Sequence, residues 1–113
     1  MIQKSAPSCP VTVWMAGDLD KARDSLRKQC FEEGLCVTLD ATTFVYTAGV
    51  EEGVRVGFVN YPRFPKAPEE IIDRAEKVLL ALMNDLYQHS ALLQTPEDTT
   101  WYTRRPEDVK EKK

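Results

Sequence analysis

The chain has 113 residues, 42% of them hydrophobic, which suits one domain around one core and is too short for two. A formal charge of −3 and a pI near 5.2 argue against a dedicated nucleic-acid binder, which carries a basic excess or stripe, so no long nucleic acid is expected as a partner. No apolar run approaches the ~20 residues of a membrane helix, and residues 1–10 lack a signal-type apolar segment, so a soluble, cytoplasmic protein is expected.

Residues 1–10 mix Lys, Ser and two prolines without periodicity and read as a flexible arm, leaving 11–105 as the single folded domain and 106–113 as a charged flexible tail. Residues 11–15 form a short apolar run of the buried-strand kind. Asp18 then supplies an N-cap, and Leu19, Ala22, Leu26 and Cys30 recur at helical spacing up to Gly34, a residue suited to a helix stop. Residues 35–47 are rich in Val, Thr, Phe and Tyr but exceed ordinary strand length. They read as two strands, 35–39 and 43–47, turning at Asp40-Ala41-Thr42, with one bent strand as the alternative. A loop over 48–53, with a glycine at its second and last positions, leads into the next strand.

That strand lies in the segment 53–65, GVRVGFVNYPRFP. Val54, Val56, Phe58 and Asn60 share one face, and Arg55, Gly57, Val59 and Tyr61 the other. Pro62 and Pro65 lack backbone donors, so the chain leaves the sheet there, and Tyr61 and Phe64, each before a proline, are held extended. Pro68, Glu69 and Glu70 open a second helix running to about Gln88, with a wide apolar face from Ile71 to Leu86; Leu80 and Tyr87 flank it as possible subunit contacts. Residues 91–95 read as a strand, 96–98 as a turn and 99–103 as its hairpin partner. The order predicts an α+β fold, a mainly antiparallel sheet with two helices on one face, and its topology resembles the split β-α-β plan of ferredoxin-like folds.

Two aromatic rings and a guanidinium on a stiff segment make Tyr61, Arg63 and Phe64 the leading ligand-binding candidates. Trp101, Tyr102, Arg104 and Arg105 join them if the last strand is long enough to reach that edge, and otherwise run back along the outside. Such a set stacks on a planar group, each stack worth roughly 1–3 kcal/mol, and grips an anion. The bland alternative is that Tyr61 and Phe64 plug the end of the core. Catalytic constellations are poor. Cys9, Cys30 and Cys36 are odd in number without C-x-x-C spacing, which indicates reduced thiols and no zinc or other metal site; Cys30 reads as core packing and the single His89 as a partner of the second helix's dipole. The acidic pairs sit at loop or helix ends, with Glu51 and Glu52 the pair most suited to meet an arginine of a neighbouring subunit. No G-x-G-x-x-G, Walker or G-x-S-x-G element occurs. The composite expectation is a non-enzymatic binding module without a cofactor, homo-oligomeric, holding a small anionic, nucleotide-like ligand as small phage proteins that sequester a nucleotide signal do. A protein–protein interaction module using YPRFP and residues 101–105 is the alternative, and a small enzyme built on Cys36 or His89 the third.

Overall fold

The structure, a computed structural model, describes residues 1–109; the end of the expected tail, 110–113, lies outside the described residues. Five strands and two long helices follow one another as β1 (Val11–Ala16), α1 (Leu19–Glu33), β2 (Thr38–Tyr46), β3 (Gly49–Phe58), α2 (Pro68–Asp85), β4 (Ser90–Gln94) and β5 (Thr99–Thr103), with a short helical turn α3 (Pro106–Val109) closing the domain. All pairings are antiparallel and the strand order is β2-β3-β1-β4-β5. This is the expected α+β architecture, consistent with the ferredoxin-like plan.

Alternation decides which side of each strand is buried. Val11, Val13 and Met15 of β1, Val54, Val56 and Phe58 of β3, and Ala91 and Leu93 of β4 all face the helices. They meet Ala22 and Leu26 of α1 and Ile71, Ala75, Val78, Leu79, Leu82 and Met83 of α2. The helices start and stop where their ends are satisfied. The Asp18 carboxylate accepts from the backbone N–H groups of Asp20 and Lys21 at 2.7 and 3.2 Å, and Gly34 takes a left-handed φ of 69° while its N–H reaches the Cys30 carbonyl. Ser25, the one buried polar residue among the described residues, donates to Asp85 at 2.6 Å and accepts from Gln29, so its hydroxyl is not orphaned at the α1–α2 seam.

Five local expectations are corrected. Residues 38–46 form one nine-residue strand, the single-strand alternative, because Asp40, Ala41 and Thr42 pair in unbroken register with Arg55, Val54 and Gly53. The expected loop over 48–53 is mostly strand, since β3 begins at Gly49, and the β2–β3 hairpin carries an exposed apolar tip of Val45, Tyr46 and Val50. The expected arm is anchored rather than loose at its end: Cys9 is buried in the core, and the Pro7 carbonyl accepts from Asn60 Nδ2 at 2.9 Å. The second helix ends at Asp85, not Gln88, because Leu86 leaves helical geometry and Tyr87 adopts a positive φ of 57°; His89 therefore lies beyond the helix. At the other end of the chain, residues 106–109 of the expected tail form α3.

One close approach at the β1–β3–β2 junction admits no side chain. A Cβ placed on Gly53 would stand 2.6 Å from the Met15 carbonyl oxygen and would overlap the Phe44 ring, whereas one on Gly49 would meet nothing within 4 Å. Gly53→Ala is expected to cost about 1–3 kcal/mol, read as a lower urea midpoint, while Gly49→Ala leaves the stability within about 0.5 kcal/mol of the parent.

Candidate functional site

The face of the sheet turned away from the helices has no covering element among the described residues. Its register aligns one row across all five strands, Asp40, Arg55, Trp14, Leu92 and Trp101, because each is the paired partner of the next. Trp14 is fixed within this row. Its indole N–H donates to Gln94 Oε1 at 3.0 Å, and the Arg55 guanidinium lies 5.6 Å from its ring centroid while pairing with Asp40 at 3.0 Å. Beside Trp14, toward the end of β1, lies a hollow of about 190 Å³ whose side chains include Trp14, Phe44, Glu51, His89, Leu92 and Trp101. It combines three aromatic rings with one carboxylate and one imidazole.

A second cavity, about 270 Å³, opens at the opposite end of β3, beneath the helices. Leu35, Phe58, Ile71, Tyr61 and Phe64 give it apolar walls, and Cys36, Asn60, Lys66 and Arg74 supply its polar groups. Its roof is held by Asn60, which donates to the Pro7 and Lys66 carbonyls and accepts from the Lys66 N–H at 2.9 Å. The Tyr61 and Phe64 rings meet edge to face with centroids 6.2 Å apart, and Phe64 N–H closes a turn onto the Tyr61 carbonyl.

The seven residues expected to form one site are thus distributed over separate places. Tyr61 and Phe64 line the helix-side cavity, but Arg63 stacks over the Phe64 ring at 5.4 Å and is not among its walls. Trp101 lines the sheet-face hollow. Tyr102, one residue along the strand, points to the opposite face and donates its hydroxyl to Glu76 at 2.9 Å. Arg104 hydrogen-bonds Asn84 at 2.7 Å, and Arg105 pairs with Asp108, whose carboxyl is held below its ordinary range chiefly by the Thr103 hydroxyl bound to it. The last strand is short and antiparallel to β4, so residues 101–105 run back from the YPRFP edge, as the hairpin reading requires. The sequence reading missed Trp14 and Phe44, although alternation in VTVWMA, with Val11, Val13 and Met15 inward, already puts Trp14 outward. Among the described residues no three His, Cys, Asp or Glu side chains gather to hold a metal ion, and no helix is long and apolar enough to cross a membrane.

No protein-family model and no curated protein sequence matches the chain. Two solved structures share its fold. One is a phage SAM lyase in the apo state, with a TM-score of 0.74 at 13% identity, covering 93% of this chain and 97% of that one. The other is a phage SAM lyase in complex with S-methyl-5'-thioadenosine, with a TM-score of 0.66 at 11% identity, covering 91% and 95%. At these identities the likeness is one of fold.

Tyr102 offers a check on the placement of β5. Burial, followed by the hydrogen bond to Glu76 and the negative charge of that carboxylate, pushes its phenol up from 10.0 to about 12. Because the neutral phenol is the form that folding favours, its contribution to stability is complete below pH 10 and disappears as the pH rises toward 12. Ultraviolet titration is expected to show a phenolate transition near pH 12 that is absent from Tyr102→Phe. A difference titration without that late transition would contradict the Tyr102–Glu76 contact.

Proposed function

We propose that the chain binds S-adenosylmethionine (SAM) in the sheet-face hollow and cleaves it to leave S-methyl-5'-thioadenosine, as a phage-type SAM lyase. The observation that carries this reading is a shared fold running through more than nine-tenths of both chains, without an added or missing domain. It replaces the expectation of an anionic ligand held without chemistry by that of a cationic nucleoside.

The chemistry of the hollow supports the choice of place. A sulfonium is favoured by aromatic faces and by a carboxylate, which Trp14, Phe44, Trp101 and Glu51 supply, and adenine stacks on an indole. The helix-side cavity carries Lys66 and Arg74 and repels a sulfonium. When the bond between sulfur and the amino-acid chain breaks, both electrons stay on sulfur and the neutral thioether departs without needing a proton. A lyase adds no water, so as the carbon–sulfur bond breaks the carboxylate oxygen of the same amino-acid chain bonds to that carbon and closes a lactone, which conserves charge and needs no added proton. The positive charge on sulfur fades as the bond breaks, so Glu51 and the rings hold the substrate at least as strongly as the transition state. Acceleration then has to come from orienting the amino-acid chain. Glu51 is accordingly a binding residue in this reading.

At about 190 Å³ the hollow is smaller than the ~300 Å³ at which ligand pockets usually begin. A second copy of the chain laid on the open face would deepen it and cover Trp101, which is 55% exposed, which supports the expected homo-oligomer.

Incubation of the purified chain with SAM is expected to release S-methyl-5'-thioadenosine, detected by chromatography with mass spectrometry. Glu51→Gln and Trp101→Ala are each expected to weaken SAM binding about tenfold by calorimetry, with a larger effect on KM than on kcat for Glu51→Gln. SAM binding without product would leave a sequestering protein and overturn cleavage; neither binding nor product would overturn the reading. Native mass spectrometry is expected to show an oligomer, and Trp101→Arg to shift it toward monomer. A monomeric parent that still turns over SAM would place the whole site within one chain.

A further inference from the structure

The helix-side cavity is left unused by that reaction and stands apart from its site. It lies at the Phe58 end of β3, whereas Glu51 marks the other end; seven residues of strand separate the two by about 23 Å. Three observations describe what would fit it. Its walls are largely apolar and include two aromatic rings that are more exposed than core residues, Tyr61 at 47% and Phe64 at 60%. Its roof is built before any ligand arrives, since Asn60 ties the 60–66 turn both to the N-terminal segment and to itself, and prolines 62 and 65 stiffen it. Its charge is one positive unit in effect. Arg74 is already engaged by Glu70 at 3.4 Å and by the Glu33 carbonyl at 3.1 Å, whereas half-buried Lys66 has no ion pair among the described residues.

We propose that this cavity is a second ligand site, selective for a flat aromatic monoanion such as an aryl carboxylate or sulfonate, with the rings between Tyr61, Phe64 and Ile71 and the anion on Lys66. A volume of about 270 Å³, just under the ~300 Å³ at which ligand pockets usually begin, limits the ligand to one or two fused rings. The apolar walls disfavour a doubly charged phosphate monoester, because only one unpaired cation is present to offset its desolvation. This proposal does not depend on SAM cleavage: it concerns a different cavity and a ligand of opposite charge.

Cys36 makes the site observable. It lines the cavity and is exposed, Cys9 is buried, and Cys30 is half-buried with its thiol pushed up by burial and then by the neighbouring Cys36, so alkylation reaches Cys36 first. The probes are naphthalene-2-sulfonate and its uncharged counterpart naphthalene-2-sulfonamide, added to the full chain with iodoacetamide and followed by fluorescence and peptide mass spectrometry. The sulfonate is expected to bind with one-to-one saturation and to slow alkylation of Cys36 about tenfold. Lys66→Met is expected to weaken sulfonate binding about tenfold and to leave the neutral probe and the urea midpoint unchanged. Sulfonate binding that does not protect Cys36 would place the probe elsewhere, for instance on the open sheet face, and overturn the proposal. Equal affinities for the charged and neutral probes, or indifference to Lys66→Met in a folded variant, would overturn it as well. SAM turnover, measured in the same variant, is expected to be unaffected.

Discussion

The register between β1 and β3, with Val13 opposite Val56 and Trp14 opposite Arg55, is the constraint on which the rest of the molecule depends. Side chains in a strand alternate, so this one alignment sends Val11, Val13, Met15, Val54, Val56 and Phe58 to the helices and Trp14, Arg55 and Gly53 to the bare face. A slip of one residue would turn one of the two strands over, burying Arg55 or Trp14 and exposing that strand's valines. The pairing is held against that slip from both sides. The core removes the valines from water, and the Gly53–Met15 approach leaves no room for a residue with a side chain at that point.

The same constraint explains why the two cavities differ in character. On the bare face, the register sets two indoles, an arginine and an acid in one cross-strand row that no element covers among the described residues. Beneath the helices, the cavity exists because β3 ends at Phe58 and the chain must travel from the sheet to Pro68 before α2 begins. A proline-stiffened segment spans that distance without strand pairing, and Asn60 replaces the missing ladder with three hydrogen bonds. One space is bounded by paired backbone and exposed rings, the other by a turn and two helix ends.

Much of the fold was legible because its signals were local. Asp18 and Gly34 bracket α1 through caps, Pro68 and the acids after it open α2, and alternation marks β3. The misreadings arise where partners distant in sequence decide. Asp40 and Thr42 look like turn residues, yet pairing with Arg55 and Gly53 holds them in a strand; Cys9 follows an unpatterned stretch, yet the core has a place for it. The site was legible only in fragments for the same reason. Proximity of residues 61–64 to 101–105 depends on which way β5 runs and how far, and the hairpin at Thr95–Asp98, closed by the Thr95 N–H to Asp98 carbonyl bond at 2.8 Å, turns the strand back after five residues. Tyr102 was chosen for its ring, but parity along β5 commits it to the core side while Trp101 faces out.

Charge then separates the roles the two spaces can take. The chain is net negative, so a cationic nucleoside approaches it with the overall field and an anion against it. The hollow on the bare face reinforces that field with Glu51 and requires no compensating cation, whereas the helix-side cavity has to work against it and does so with a lysine that no carboxylate neutralises among the described residues. Lys66 and Arg74 lie at one end of β3 and Glu51 at the other, about 23 Å apart, well beyond the ~8 Å screening length of physiological salt. Screening at that distance leaves each site governed by its own first neighbours. On the proposed reading, a single small sheet would carry a hollow suited to a cation and a cavity suited to an anion without either weakening the other.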